Sequence, residues 1–505
     1  MSARDRRTLA RSDDLTTGNL LERFVAVRGS CRLATEPGGF SVTYAEAADL
    51  VARATGTLRD RIEPGQRVIV ATPNGYRLFL ACLAVGRAGG VAVPINPKMA
   101  ADEIDFVEAD SGSTTRVDDF DELVAGAAPA PAAEVDPAAV AVLFYTSGTT
   151  GRPKGAELSH RALVGRAGAG AFAPERLLRR GCVTGMPVAH IAGFTTVVQL
   201  LSMGLPVHLL PKFRPTDALD AIEREKPMMF VGVPMMYRMM LEAGAEQRDL
   251  SSVRIWSSGA DALPDELAHT FQRLGAAARV PFTGRTVGKS TFIDGYGMVE
   301  LGGGAAIRVH TPVKLPVVGG GLKPMFGNSF KVLDDAGAEV PKGEVGELAV
   351  KGPGVMRGYH GRDEATSEAL TADGWLRTGD LARARPLGYV QLAGRKKDVI
   401  KVGGYSVFAV EVERALEEHP AVAEAAVLGL PDARKGEVVV AAVRLLPDAT
   451  ATPEDLVAFG KEKLSDYKVP RRIVVVDELP RTGTDKVQKR GLLPLFDGHD
   501  GGGAP

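Results

Sequence analysis

The ten residues Thr146-Ser-Gly-Thr-Thr-Gly-Arg-Pro-Lys-Gly155 carry four hydroxyl side chains, three glycines and one lysine, directly after the strand-like stretch Val140–Tyr145. Glycines leave backbone N–H groups open to a ligand, the hydroxyls add donors and the lysine adds a point charge. The combination suits the oxygens of a pyrophosphate group. It is not a Walker A loop, because Lys154 is followed by Gly155 and not by Ser or Thr. Gly284-Arg-Thr-Val-Gly288-Lys289-Ser290 comes nearer to that pattern but has three residues between its glycines where four are required. Taken singly, Glu300, Asp380, Lys486 and His190 read as surface charges or a hydrogen-bonded histidine, and only their surroundings argue for more.

Positioning such groups takes a framework. Between about residues 40 and 310, apolar runs (Val68–Ala71, Val91–Pro94, Val140–Tyr145, Met229–Val233, Val253–Ser257) alternate with helical patterns such as Tyr44–Arg61 and Tyr76–Gly89. That alternation predicts an α/β fold of parallel sheet covered by helices. After residue 315 short strands take over (Phe330–Leu333, Gly346–Lys351, Gly388–Leu392), a smaller β-rich portion. From about 395 a compact α+β unit follows, with strands at Val399–Val402, Val422–Gly429 and Glu437–Leu445 and helices at Ala409–Glu418 and Pro453–Leu464. The expected organisation is a large N-terminal domain over 1–394, made of α/β subdomains plus a β-rich subdomain. A small mobile α+β cap follows over 395–497, and a glycine-rich, disordered tail over 498–505.

Composition excludes several classes. With 61 Lys+Arg against 62 Asp+Glu in 505 residues there is no net field for a polyanion, so nucleic acid is not an expected partner. Apolar content of 45% and charged content of 24% are those of an ordinary globular protein. No stretch reaches the roughly 18 apolar residues of a membrane span. Three scattered cysteines, Cys31, Cys82 and Cys182, make neither a disulfide framework nor a zinc site, and a cytoplasmic setting is expected.

The string Tyr145-Thr-Ser-Gly-Thr-Thr-Gly-Arg-Pro-Lys-Gly155 resembles the phosphate-binding signature of the adenylate-forming superfamily, which holds acyl-CoA synthetases, peptide-synthetase adenylation domains and luciferases. Further motifs of that family follow in order: Ser258-Gly-Ala-Asp-Ala262, Tyr296-Gly-Met-Val-Glu300, Gly374-Trp-Leu-Arg-Thr-Gly-Asp380, Gly394-Arg-Lys-Lys-Asp-Val-Ile-Lys401 and Pro480-Arg-Thr-Gly-Thr-Asp-Lys486. The resemblance spans about residues 20 to 492 and is closest to bacterial fatty acyl-CoA synthetases. It implies that Thr146, Ser147, Gly148, Thr149, Thr150 and Lys154 hold the phosphates of ATP, and that Glu300 holds Mg²⁺. Tyr296 would lie on the adenine, with Asp294, Gly295, Gly259 and Ala260 at its edge. Asp380 and Arg395 would take the ribose. Lys486 would insert between the substrate carboxylate and the phosphate during adenylation. Lys397 would mark the hinge of a rotating C-terminal domain, and Gly403 and Gly404 would line the passage for the thiol of coenzyme A. Val299 stands where the family usually has Thr, and Asp485 where it has Gly.

The resemblance also places Met186-Pro-Val-Ala-His190-Ile-Ala-Gly-Phe194 beside the acyl pocket, with His190 as a gating residue and Phe194 and Met235 as lining. This stretch runs on as Thr-Thr-Val-Val-Gln-Leu-Leu without a charge, which implies an uncharged acyl group, and methionines clustered over 228–240 suit a flexible chain. The expected activity is therefore ATP-dependent formation of acyl-AMP from a medium- or long-chain fatty acid, then transfer to CoA. An acyl-AMP ligase that loads a carrier protein, or a non-catalytic nucleotide-binding homologue, is the competing expectation. Oligomeric state is left open, with a homodimer among the options. The segment Ala277–Phe292, longer than the family's usual connection, predicts either a surface hairpin or flap near the adenine or acyl site, or a partly disordered stretch.

Overall fold

The computed structural model describes residues 3–146, 152–173, 180–259, 261, 263–280, 285–310, 321–325, 327–432, 434–481 and 487–496. The chain divides into two compact units, one of residues 1–329 with 350–376 and one of 330–349 with the chain from 377 onward.

In the first unit the expected α/β alternation closes into two sheets. One joins nine described strands, and its centre is parallel: Val207–Leu209, Cys182–Thr184, Met229–Gly232, Ile255–Gly259 and Thr291–Met298 lie side by side in that order. The other has six, with Val140–Thr146 parallel to Val91–Pro94 on one side and antiparallel to Lys154–Ser159 on the other. The helix Tyr44–Arg59 starts where a capping box fixes it. The Thr43 hydroxyl accepts from the Glu46 N–H at 3.3 Å, and the Glu46 carboxylate accepts from the Thr43 N–H at 2.8 Å. Tyr76–Arg87 is buried on nearly every face from Leu78 on, as its apolar run Leu78–Val85 requires of a helix inside a core.

One side of the nine-stranded sheet is packed with rings. Trp256, Tyr237, Phe230, Phe271 and Phe292 are all fully buried, with centroids between 4.8 Å (Tyr237–Phe271) and 6.1 Å (Tyr237–Trp256). Their polar atoms are satisfied: the Trp256 indole N–H donates to the Ser290 hydroxyl at 3.0 Å, and the Tyr237 hydroxyl donates to the Ser257 carbonyl at 2.7 Å. These bonds pin the strands Ile255–Gly259 and Thr291–Met298, whose carboxyl ends carry candidate site residues.

The expected hairpin within 277–292 is present: Ala278–Arg279 pairs antiparallel with Thr286–Val287. Its expected location is corrected. The hairpin leads into Thr291, which pairs with Ile255 at the beginning of both parallel strands. It therefore lies at the amino edge of the sheet, away from Gly259 and Gly295. Gly284 lies outside the described residues.

The second unit holds a four-stranded sheet (Ser329–Leu333, Val345–Lys351, Leu376–Ala384, Val390–Arg395) and a five-stranded one built on the long hairpin Val422–Asp432/Gly436–Leu445, covered by helices Ala409–Glu417 and Pro453–Lys463. The tail over 498–505 lies outside the described residues. Among the described residues no helix is long and apolar enough to cross a membrane.

Candidate nucleotide-binding and activation site

Thr146 and Lys154 face each other across the mouth of an antiparallel hairpin, in register, and the Thr146 hydroxyl reaches the Lys154 carbonyl at 3.4 Å. The intervening Ser147, Gly148, Thr149 and Thr150 lie outside the described residues, as do Ala260 and Lys486. The strand before the loop is anchored from behind. The Tyr145 hydroxyl donates to Asp110 at 2.9 Å, and Arg362 pairs with the same carboxylate. Burial and then the bond to Asp110 raise the Tyr145 pKa well above its usual value, so the phenol remains a donor.

The strand Lys154–Ser159 also pairs with the two-residue strand Gly358–Tyr359, setting Tyr359 opposite Ala156. Lys154 Nζ lies 5.0 Å from the centroid of the Tyr359 ring, a cation over an aromatic face. The Tyr359 hydroxyl donates to Glu300 Oε1 at 2.8 Å. Glu300 sits in the short 3-10 turn Val299–Leu301 that joins Thr291–Met298 to Gly303–His310, and it is only 8% exposed. Its own carbonyl accepts from the Met356 N–H at 2.9 Å, tying the turn to the segment that leads to Tyr359. Burial, and after it the negative charge of Glu300, push the Tyr359 pKa up, so the hydroxyl keeps its proton and goes on donating. Lys154, the Tyr359 ring and the buried Glu300 carboxylate are thus linked by successive contacts. Val299 is buried beside Glu300.

Gly259 and Gly295 are direct partners across the parallel pair, and Ser258 and Asp294 are partners one step earlier. A glycine pair at the ends of adjoining strands leaves room above the sheet for a flat ligand, and Tyr296, half-buried, follows at once. The Asp294 carboxylate accepts from Arg308, Nη2 at 3.0 Å and Nε at 3.2 Å, and Arg308 also reaches Asp265 at 3.1 Å and the Leu263 carbonyl at 3.2 Å. That guanidinium fixes Asp294 and joins the strand to the segment after Gly259.

His190 caps the helix Ile191–Met203: its Nδ1 accepts from the Ala192 N–H at 3.2 Å, which leaves Nε2 to carry the proton of the neutral ring. Phe194, four residues on, is fully buried, with its ring 5.1 Å from Phe79 and 5.6 Å from Phe144. Met235 is half-buried at the start of Pro234–Glu242, just beyond the carboxyl end of Met229–Gly232. Met236 and Met240 point into the core.

In the second unit Asp380 and Arg395 are register partners, joined by Arg395 Nε to Asp380 Oδ1 at 3.1 Å. Asp380 is 8% exposed, and its N–H donates to the Thr378 hydroxyl at 3.1 Å. Lys397 lies exposed in the 3-10 turn Lys396–Asp398. Gly403 and Gly404 have φ of +57° and +87° and close the hairpin of Val399–Val402 with Tyr405–Phe408. Two left-handed residues in a two-residue turn make glycine the natural choice at both.

Sequence reasoning missed Tyr359 and Arg308. Each acts through a partner more than ten residues away in the chain, and no local pattern marks either.

Among the described residues no group of three or more His, Cys, Asp or Glu is placed to hold a metal ion. One buried carboxylate, joined through Tyr359 to Lys154, instead fits an ion that takes most of its oxygens from phosphate and water, as Mg²⁺ does.

Residues 21–360 match the model of the AMP-binding enzyme family, and residues 411–486 match that of the AMP-binding enzyme C-terminal domain. A feruloyl-CoA synthase of Amycolatopsis is 35% identical over 92% of this chain and 96% of its own. A long-chain-fatty-acid–CoA ligase of Bacillus subtilis is 37% identical over 70% of this chain and 61% of its own. The structure of an o-succinylbenzoate CoA synthetase from Bacillus subtilis, in complex with its acyl-adenylate intermediate, superposes with a TM-score of 0.80 at 27% identity, over 96% of this chain and 99% of that one. This chain belongs to the AMP-binding, adenylate-forming enzyme family.

Proposed function

We propose that the protein is an ATP-dependent acid–CoA ligase acting on an apolar, uncharged monocarboxylic acid, with a medium- or long-chain fatty acid as its substrate. The succession of contacts Lys154–Tyr359–Glu300 is the observation that supports this reading. Lys154 and the hydroxyl-rich loop bind the β- and γ-phosphates, and Glu300 holds Mg²⁺, which would neutralise charge on the phosphates as pyrophosphate leaves. Asp380 and Arg395 take the ribose hydroxyls. The C-terminal part rotates about Lys397 between the two half-reactions, exchanging Lys486 for the Gly403-Gly404 turn. The uncharged helix Ile191–Met203 and the half-buried Met235 favour an apolar acyl group. The similarity to a feruloyl-CoA synthase supports a second reading, an aryl-substituted acid of the hydroxycinnamate type.

Pyrophosphate exchange across acids from acetate to stearate, with benzoate, ferulate and malonate, tests the substrate. Exchange should peak on an apolar monocarboxylate, and acyl-CoA should form from free CoA with no carrier protein. Preference for malonate would refute the pocket reading, and acyl-AMP that reacts only with a carrier would refute the CoA ligase.

Tyr359→Phe removes one hydrogen bond to an anionic carboxylate, a loss of about 1.5 kcal/mol and so about tenfold in kcat/KM for ATP. The deficit should shrink as Mg²⁺ is raised, because the misplaced carboxylate is the metal's ligand. A variant indistinguishable from wild type at every Mg²⁺ concentration would remove Tyr359 from the site.

A further inference from the structure

The amino edge of the central parallel strands, the end remote from Gly259 and Gly295, opens into a cavity of about 340 Å³. That is within the range of about 300–1,000 Å³ typical of small-ligand sites. Four cationic side chains line it: Arg32 from the strand beside Val207–Leu209, Arg180 just before Cys182, Lys226 and, from the hairpin, Arg279. Against them stand Glu225 and Asp249. Glu225 already binds Arg224 at 2.9 Å, and Asp249 is held by the Ser251 N–H and hydroxyl at 3.1 and 2.6 Å. His208 adds no charge, since burial lowers its pKa. Arg32, Arg180 and Lys226 form no ion pair with any described residue.

Two further observations mark this edge. Lys226 has φ +46°, a left-handed conformation at the end of helix Pro215–Glu225 where Gly or Asn is the favoured residue. A lysine kept there carries a backbone cost, which points to a use for its side chain. Arg254, whose Nη1 donates to the Ala277 carbonyl at 2.7 Å, is depressed in pKa by burial and then by the charge of Arg180. Lys226 and Arg279 also help to hold the Asp249 carboxyl below its usual pKa, after its bonds to Ser251, so four cations face two carboxylates and the cleft stays net positive. One cation at a helix carboxyl end would complement the helix dipole, but Arg32, Arg180 and Arg279 come from strand, loop and hairpin.

We propose that this cleft binds a small oxyanion, a free phosphate or the phosphate group of a small metabolite, through Arg32, Arg180, Lys226 and Arg279, at a site separate from the nucleotide site. The anion would add charge-assisted hydrogen bonds where the lining cations outnumber the carboxylates.

The test compares wild type with Lys226→Gly and with the double variant Arg180→Ser/Lys226→Gly, by thermal unfolding titrated with inorganic phosphate and separately with glycerol 3-phosphate, at constant ionic strength set with chloride. Any binding at the phosphate loop is common to all three proteins, so the difference between them isolates the cleft. Lys226→Gly relieves the left-handed backbone and should unfold no earlier than wild type without anion. Wild type should show a saturable rise in unfolding temperature. The half-saturating concentration should rise about tenfold in Lys226→Gly and more in the double variant, as expected for lost hydrogen bonds to a charged ligand. The anion that saturates at the lower concentration identifies which form the site prefers. Identical titrations in wild type and double variant, or no saturable response to either anion, would overturn the proposal.

Discussion

Glu300→Gln should reduce pyrophosphate exchange by about 10²–10³-fold, the usual cost of deleting one charged stabiliser of a phosphoryl-transfer transition state. The substitution is nearly isosteric. The amide oxygen can still accept from Tyr359, 2.8 Å away in the wild type, so the turn Val299–Leu301 keeps its tie to the Gly358–Tyr359 strand. What disappears is the negative charge that would hold Mg²⁺ against the phosphates. Stability without metal should change little or rise slightly, because a buried charge is removed that forms no ion pair with a described residue. Raising Mg²⁺ should recover only part of the lost rate, since excess metal restores occupancy but not position. Exchange at saturating ATP measured alongside thermal unfolding separates the two effects. A stable Gln variant that exchanges pyrophosphate at the wild-type rate would show that Glu300 is not the metal's carboxylate.

Many elements of both units are legible from local pattern. The strands at Val91–Pro94 and Val399–Val402 fall where their apolar runs lie, and Tyr44–Arg59 begins at the Thr43 cap because capping is a short-range bond. The strand Lys154–Ser159 is not legible. Lys-Gly-Ala-Glu-Leu-Ser has no clean alternation, and it is held as a strand by pairing on both sides, with Val140–Thr146 and with Gly358–Tyr359. Tyr359 becomes a site residue through that second pairing, which joins positions some two hundred residues apart. Asp380 and Arg395 were nameable from their motifs, yet their ion pair depends on a hairpin register with a bulge between Leu381 and Ala382. The hairpin Ala278–Arg279/Thr286–Val287 was foreseeable as a turn. Its place at the amino edge follows from the parallel pairing of Thr291 with Ile255, and strand direction is a property of the sheet that no local segment carries.

Lys486→Ala should divide the two half-reactions. Lys486 lies outside the described residues, within the stretch matched to the C-terminal domain of the family. Adenylation brings a carboxylate against the α-phosphate, two anions that repel, and a single ammonium between them offsets that repulsion where water is excluded. Its loss should lower acyl-AMP formation by about 10³-fold, comparable to removing one preorganised donor from an oxyanion site. Attack of CoA on acyl-AMP supplied from outside needs no such charge, since AMP is now the leaving group and, on the proposed mechanism, the thiol would approach past Gly403 and Gly404. That half-reaction should stay within about threefold of wild type, a change of less than 1 kcal/mol. Lys486→Arg should restore little of the first step, because a planar guanidinium cannot take the place of a compact ammonium on a flexible stem. Equal loss of both half-reactions in the Ala variant would mean that one arrangement of the C-terminal part serves both steps, and the proposed rotation about Lys397 would fall with it.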